Sequence, residues 1–447
     1  MINLNRSQTM TTTRRTFIRN LAPLVAVPCI LPSCIRSKAP NSRLTMGFVG
    51  MGIQSRYLLS KFAPEVQVLA VCDVDTTRRT NAQQWVDKYY TDHPDKGTAG
   101  CKAYTDYREL MERDDIDTVC IATPDHWHTS VIELALKKGK DVYCEKPLTH
   151  NIQEAIDVMD AVKKHRRVLQ TGSMQRSAKE FRVACELVRN GCIGKIDHVD
   201  ANFSGPPIPC DLPEEEMEPG LDWNFWLGPA PMRPYNSILS PRGIHGHFPN
   251  WRNYREYGTG GVGDWGAHHL DIAQWGLGAD DSGPVEVKFV NGEATLLYAD
   301  GVTVIRKDQG FGVHFFGSDG EVMVNRGTFK MVLKGETVAA YTGQATPDTN
   351  CAAEVQKAED RFLKDAKIRL YDSPSHYLDF LNAVKSRTKP IANEQVGGRT
   401  VISCHLINQL YYHNETLKWN PAKLCFTGGT GSPDWMTRES RDWKTTG

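Results

Sequence analysis

Between residues 44 and about 170 the chain alternates short, β-branched apolar runs with longer amphipathic ones. The runs "LTMGFVG", "VQVLAVCDV", "DTVCIAT", "KDVYCEK" and "RVLQTG" are bounded by turn residues, which predicts strands. Segments such as "SVIELALKKGK" and "IQEAIDVMDAVKKH" repeat apolar residues at helical spacing. Few folds satisfy that alternation. A helix between two strands carries the chain back to begin a parallel neighbour, so the expected architecture is a doubly wound parallel sheet of the α/β class.

The first strand ends in "GFVGMGIQS", which sets Gly50, Gly52 and Ser55 where a G-x-G-x-x-G fingerprint carries its glycines. Gly50 permits a tight turn and Gly52 lets a pyrophosphate approach the backbone. Ile53 and Gln54 then open a helix whose free N–H groups and dipole favour an anion. Ser55 replaces the third glycine, whose task is close helix packing. Asp73 ends the second strand about 20 residues further on, where an acid binds a ribose 2′-hydroxyl and repels a 2′-phosphate. The expected cofactor is therefore NAD rather than NADP.

After about residue 175 the pattern changes. A helix, "AKEFRVACELVRNGCIG", leads to a strand at "KIDHVDANFS" and then to a stretch rich in Pro, Gly and Trp up to Gly263. Later strands at "PVEVKFVNGEATLLY", "GVTVIRK" and "GVHFFGSDGEVMVN" are joined by Asn-Gly, Asp-Gly and similar turns, which signal hairpins. This predicts a C-terminal α/β domain with an open, mostly antiparallel sheet covered by helices on one side. The expected division is a signal and linker over 1–42, a Rossmann domain over 43–172, a substrate and oligomerisation domain over 173–425, and a polar tail over 426–447.

Lysine plus arginine equals aspartate plus glutamate at 53 each, so no net charge draws the chain to nucleic acid or an anionic membrane. The N-terminus is distinct. "TTRRTFIRNLAPLVAVPCILPSC" sets Arg14 and Arg15 before an apolar run from Leu21 to Leu31. That run is shorter than the roughly 20 residues of a membrane span and suits an export signal. The order resembles a twin-arginine signal, an address for proteins exported already folded. It predicts a periplasmic or cell-envelope location, with Cys34 in "LPSC" as a candidate lipid anchor. Twelve cysteines form no C-x-x-C pair, and Cys72, Cys120 and Cys144 sit in apolar runs, which predicts buried thiols rather than zinc clusters.

The stretch "CIATPDHWHTSVIELALKKGKDVYCEKPLTHNIQEA" places Thr-Pro-x-His-x-His at one strand end and Glu-Lys-Pro at the next. With the glycine loop, this order resembles the Gfo/Idh/MocA (glucose-fructose oxidoreductase / inositol dehydrogenase) family from about residue 44 to at least 280. The resemblance implies that Thr123, Pro124 and His128 line the cofactor and that Glu145 contacts the nicotinamide ribose. It also places Lys146 near the nicotinamide and the reacting hydroxyl.

A D-x-x-x-H pair of that family matches Asp264 and His268 in "GGVGDWGAHHLDIAQW". An imidazole is suited to take a hydroxyl proton near neutral pH, so His268 is the expected base. Lys146 would stabilise charge developing on the oxygen. Asp264, one helical turn before His268, is expected to face the same pocket and also to cap the helix. Asp271 shares the face of His268, but no third ligand at a recognised spacing supports a metal, and none is assigned.

The segments "LDWNFWLGPAPMRPYNS" and "FPNWRNYREYGTGG" are rich in Trp, Tyr and Arg, which suit the apolar faces and hydroxyls of a sugar. Arg176, Trp251, Arg252, Tyr254 and His269 are the expected substrate contacts, with His269 structural as the alternative. The expected activity is NAD-dependent oxidation of a secondary hydroxyl of a sugar or glycoside, at C3, by a homo-oligomer. Redox-neutral cleavage through a transient 3-keto sugar is one alternative, and a non-catalytic sugar-binding protein is the other.

Overall fold

The computed structural model describes residues 43–310, 312–343 and 349–443. The expected export signal and Cys34 lie outside them. Six parallel strands order β3-β2-β1-β4-β5-β6 in the first sheet. They are β1 (Thr45–Val49), β2 (Gln67–Cys72), β3 (Lys102–Tyr104), β4 (Thr118–Ile121), β5 (Asp141–Cys144) and β6 (Leu169–Thr171). The crossovers carry α1 (Ile53–Phe62), α2 (Thr76–Asp92), α3 (Tyr107–Met111), α4 (His128–Lys137) and α5 (Ile152–His165). Strands β4 and β5 are buried along their whole length, as strands covered on both faces must be. Asp75 and Asn151 start α2 and α5 by accepting the N–H of Arg78 and Glu154. The strand order reverses beside β1, so a crevice opens between the ends of β1 and β4, the usual ligand position in such sheets.

The second half begins with α6 (Lys179–Arg189), β7 (Ile196–Asn202) and α7 (Trp223–Leu227), followed by α8 (Gly260–Asp264) and α9 (Gly266–Leu277). Strands β8 (Glu286–Val290), β9 (Glu293–Leu297), β10 (Thr303–Lys307), β11 (Gly312–Gly317), β12 (Gly320–Asn325), β13 (Thr328–Leu333) and β14 (Glu336–Tyr341) come next. Helices α10 (Cys351–Phe362), α11 (His376–Ser386) and α12 (Glu394–His413) precede β15 (Leu417–Asn420) and β16 (Cys425–Thr427). The ten strands form one sheet in the order β14-β13-β12-β11-β7-β10-β9-β8-β15-β16. Every pairing is antiparallel except that of β7 with β10.

Asn291 and Gly292 both have positive φ, 53° and 83°, which matches the two-residue turn that an Asn-Gly hairpin requires. Lys334 and Gly335 repeat it between β13 and β14, at 50° and 82°, with no Asn or Asp to announce the turn. Strands β3 and β13 to β16 are not anticipated from the sequence pattern.

The two halves share contacts. Helix α12 lies against α5 and α9, the N–H of Thr171 donates to Ala392 O at 2.8 Å, and a ring nitrogen of His376 lies 3.0 Å from Thr171 O. The C-terminal stretch also returns to the first half. Trp443 packs edge-on against Trp127, and Arg438 pairs with Glu154 at 3.2 Å. All ten cysteines of the described residues are free, and Cys72, Cys120 and Cys144 are buried. No described helix is long and apolar enough to cross a membrane.

Candidate active site

The glycine turn follows from backbone geometry. Gly50 has φ +83°, and a Cβ there would meet Ala122 O at 2.8 Å, so both its conformation and its closeness to the end of β4 require glycine. A Cβ on Gly52 would meet nothing within 4 Å, because it points into open space in front of α1. Ser55 is fully buried, its hydroxyl 3.6 Å from Met51 Sδ, so a serine fits where the fingerprint has its third glycine.

Asp73 accepts the N–H of Met51 at 2.6 Å and of Asp75 at 2.8 Å. Burial pushes its carboxyl up, against the pull of Arg78 and these two bonds. An open backbone at a helix N-terminus and a carboxylate at the next strand end fit a dinucleotide.

These groups open into a cavity of about 470 Å³ that runs from Asp73 to His268. Gly50, Gly52, Ile53, Gln54, Asp73, Thr123, Pro124, Glu145 and Lys146 from the first half line it, with Trp251, Arg252, Asp264, His268 and Arg326 from the second. Gln54 donates to Glu145 Oε1 at 2.9 Å, tying α1 to the end of β5. Burial pushes the Glu145 carboxyl up, opposed by Gln54 and Lys146.

Lys146 Nζ donates to Asp264 O at 2.8 Å and also to Asp264 Oδ1. This ion pair joins the Glu-Lys-Pro turn of the first half to α8 of the second. Burial disfavours a charged Asp264, but Lys146, Arg252 and Arg326 outweigh it and hold the carboxyl below its ordinary value.

Asp264 does not cap the helix that carries His268. It ends α8, while α9 starts at Gly266 with Trp265 before it and no side-chain cap. The break arises because α8 is a short glycine-rich turn wedged against the exit of β7. Gly260 has φ +68°, and a Cβ there would lie 2.3 Å from Pro207 N. Asp264, at the end of this turn, presents its carboxylate to Lys146. His268 lines the cavity and is almost fully buried, and its Nδ1 has no hydrogen-bond partner among the described residues. Burial, then the charges of Lys146 and Arg326, depress its pKa well below the ordinary value, so the ring is neutral near pH 7.

Four expected contacts are corrected. Arg176 is buried away from the cavity, with Nε and Nη2 donating to Asp271 at 2.8 Å each and Nη2 to Asp280 at 2.7 Å. Both carboxylates are thereby spoken for. Tyr254 is not in the lining and packs against a separate apolar cluster that includes Trp223, Trp226, Tyr235 and Trp251. His269 points away from His268 as α9 rotates, and its Nδ1 sits against Asn202 O. His128 lies beneath the lining, 2.8 Å from Pro147 O and 3.1 Å from Thr123 O, where it ties the two cofactor-side turns together. Sequence patterns find residue types but not which way a buried side chain points.

Asp125 and Arg326 are lining residues that sequence reasoning passes over. Asp125 is the variable position of the Thr-Pro-x-His-x-His run. Burial pushes its carboxyl up to about 7, against Arg252 and a 2.9 Å bond from Thr259. Arg326 carries no local signal, since it comes from the β12–β13 turn. Among the described residues no group of three or more His, Cys, Asp or Glu could hold a metal ion.

The buried histidines have a global consequence. His126, His128, His150, His268, His269, His376 and His405 all have depressed pKa values, with burial the first cause in each. Unfolded, they titrate near 6.5, so below that pH the unfolded chain binds more protons and stability falls. The raised carboxyls of Asp73, Asp125, Glu145, Asp200 and Asp271 act in the opposite direction, being protonated more readily in the fold. The histidines outnumber the carboxyls, so stability should fall as the pH drops from 6.5 to 5.5. Denaturant melts at those two pH values would measure it; equal midpoints would show that these rings are not held neutral.

The fold and this geometry define a two-domain dinucleotide-dependent oxidoreductase architecture. The chain belongs to the Gfo/Idh/MocA oxidoreductase family. Residues 44–173 match its NAD-binding Rossmann fold and residues 209–445 its C-terminal alpha/beta domain. It is 28% identical over 160 residues to a glycosyl hydrolase family 109 protein of Shewanella sp. (strain ANA-3), covering 35% of this chain and 34% of that relative. It is 33% identical over 154 residues to an inositol 2-dehydrogenase/D-chiro-inositol 3-dehydrogenase of Lactiplantibacillus plantarum, covering 34% and 41%. The matched stretch is thus about a third to two-fifths of these curated relatives. The aldose-aldose oxidoreductase from Caulobacter crescentus shares the fold at a TM-score of 0.54, with 17% identity over 84% of this chain and 100% of that one.

Proposed function

We propose that the protein oxidises a secondary hydroxyl of a sugar or glycoside, at C3, using a tightly held NAD. The observation that carries this reading is the meeting of Lys146, Asp264 and His268 in one cavity with the Gly50–Gly52 turn and Asp73. Bound NAD supplies the hydride acceptor. Oxidation of an alcohol also releases the hydroxyl proton, and neutral His268 is the group to take it. An ammonium has three N–H donors, and Asp264 takes two of those on Lys146. The third is left to polarise the reacting oxygen. Asp264 positions Lys146 rather than the imidazole. Trp251 and Arg252 supply a stacking face and donors for the ring and its hydroxyls.

The twin-arginine-like segment supports an exported enzyme, which would bring its cofactor along and recycle it in place, with a second sugar as one acceptor. Cell fractionation checks the location; a wholly cytoplasmic protein would count against it. A redox-neutral second reading, cleavage of a glycoside through a transient 3-keto intermediate, is favoured by the glycosyl hydrolase family 109 relatives.

The deciding experiment is to purify the protein, identify bound nicotinamide by absorbance and mass, and follow its redox state across a glycoside panel. A 3-keto glycoside product supports net oxidation; free sugar alone supports cleavage. Protein that purifies without nicotinamide and never binds it would leave only the non-catalytic sugar-binding reading.

A further inference from the structure

The catalytic end of the cavity is rich in cations. Lys146, Arg252 and Arg326 all line it, while Asp264 is the ionised carboxylate they converge on. Lys146 takes that carboxylate directly, and Arg252 Nε stands 3.8 Å from the same Oδ1. Arg252 is further fixed by Pro249 O at 3.1 Å and by the ring of Trp251, 4.2 Å from its guanidinium carbon. Arg326 differs from both.

It projects from the β12–β13 turn, its guanidinium carbon 4.9 Å from the Trp265 ring centroid. Among the described residues it has no carboxylate within ion-pair distance and no side-chain hydrogen bond, and it remains exposed at the cavity. Trp265 lies between Asp264 and Gly266, and the guanidinium stacked on it acts electrostatically on both Asp264 and His268. Asp264 and Glu145 act on that charge only from beyond ion-pair distance, so a carboxylate or sulfate on the substrate would match the planar fork of the arginine directly in charge and geometry, which neutral hydroxyls do not.

We infer that the substrate of this site is an anionic sugar or glycoside, a uronate or a sulfate ester, whose charged substituent is bound by Arg326 with Arg252 beside it. This rests on the proposed sugar oxidation and names its substrate class. Arg326 is then a specificity-determining residue, and it bears on the proton transfer only through its charge near His268.

The test is calorimetric binding of methyl glucoside, methyl glucuronide and a sulfated methyl glucoside to the holoprotein and to Arg326→Met and Arg326→Lys. One or both anionic sugars should bind about ten- to a hundredfold more tightly than the neutral one, the gain of a charge-assisted pair. Whichever of the two binds identifies the charged group. Arg326→Met should erase that preference without weakening the neutral sugar, Arg326→Lys should restore part of it, and salt should reduce it.

Equal affinity for neutral and anionic sugars, a preference unchanged in Arg326→Met, or no binding of either anion would overturn the inference. Absorbance at the reduced-nicotinamide band, read in the same samples, reports the oxidation separately. Turnover of neutral sugars without an anionic preference sinks only this inference, and an anionic preference without any cofactor reduction sinks only the oxidation.

Discussion

Replacing His268 with alanine is expected to slow hydride transfer about 10²- to 10⁴-fold, the usual range for loss of a positioned base, while nicotinamide stays bound. The ring comes from α9 of the second half, whereas Asp73 and the glycine turn belong to the first, so its removal leaves those groups in place. Its neutrality is set by burial and by two nearby cations, Lys146 and Arg326. Because the depressed pKa favours the unprotonated base, the rate should be flat from pH 8 down through 6.5 and fall only in more acid solution. Single-turnover absorbance with a responding glycoside measures both effects. Near-normal turnover in His268→Ala would remove the residue from the mechanism, and an inflection above pH 6.5 would contradict the electrostatic account of its ring.

Arg176→Met should cost about 3 to 5 kcal/mol of stability without altering sugar affinity in the protein that remains folded. The guanidinium is 2% exposed and Asp271 is 1% exposed, with the Thr400 hydroxyl donating to Asp271 at 3.0 Å and Trp275 stacked on the arginine. Removing the cation strands a buried carboxylate, and its desolvation is then uncompensated. The double change Arg176→Met with Asp271→Leu should recover much of the loss, because it removes the stranded charge as well. Denaturant titration of the three proteins measures this. A stable Arg176→Met with a raised KM for sugar would instead return Arg176 to the substrate.

The alternation of strand and helix is local information, and it carries the Rossmann half almost to its boundaries. The turn at Gly50 and the acid at Asp73 were legible for the same reason, since each is fixed by backbone geometry a few residues away. The β3 strand and the β13–β16 edge were not, being short and half exposed, with their pairing decided by neighbours distant in the chain. The resemblance supplied Lys146, Asp264 and His268 as types at the right spacing. It did not reveal that Asp264 ends one helix while His268 belongs to the next, nor that Asp264 serves Lys146 rather than the imidazole.

Arg176 shows the limit most clearly. An arginine after a strand end suits a substrate as well as it suits a buried carboxylate. Only the packing of α9 against the stretch after β6 brings Asp271 within 2.8 Å and settles the matter. Arg326 is the converse, an unremarked turn residue that the ten-stranded sheet carries to the cavity. What the sequence determined alone was therefore the backbone plan, because turns, caps and amphipathic periods act over a few residues. Which charges pair and which stay open to a ligand was decided by tertiary structure, since burial and Coulomb energies depend on groups brought together from far along the chain.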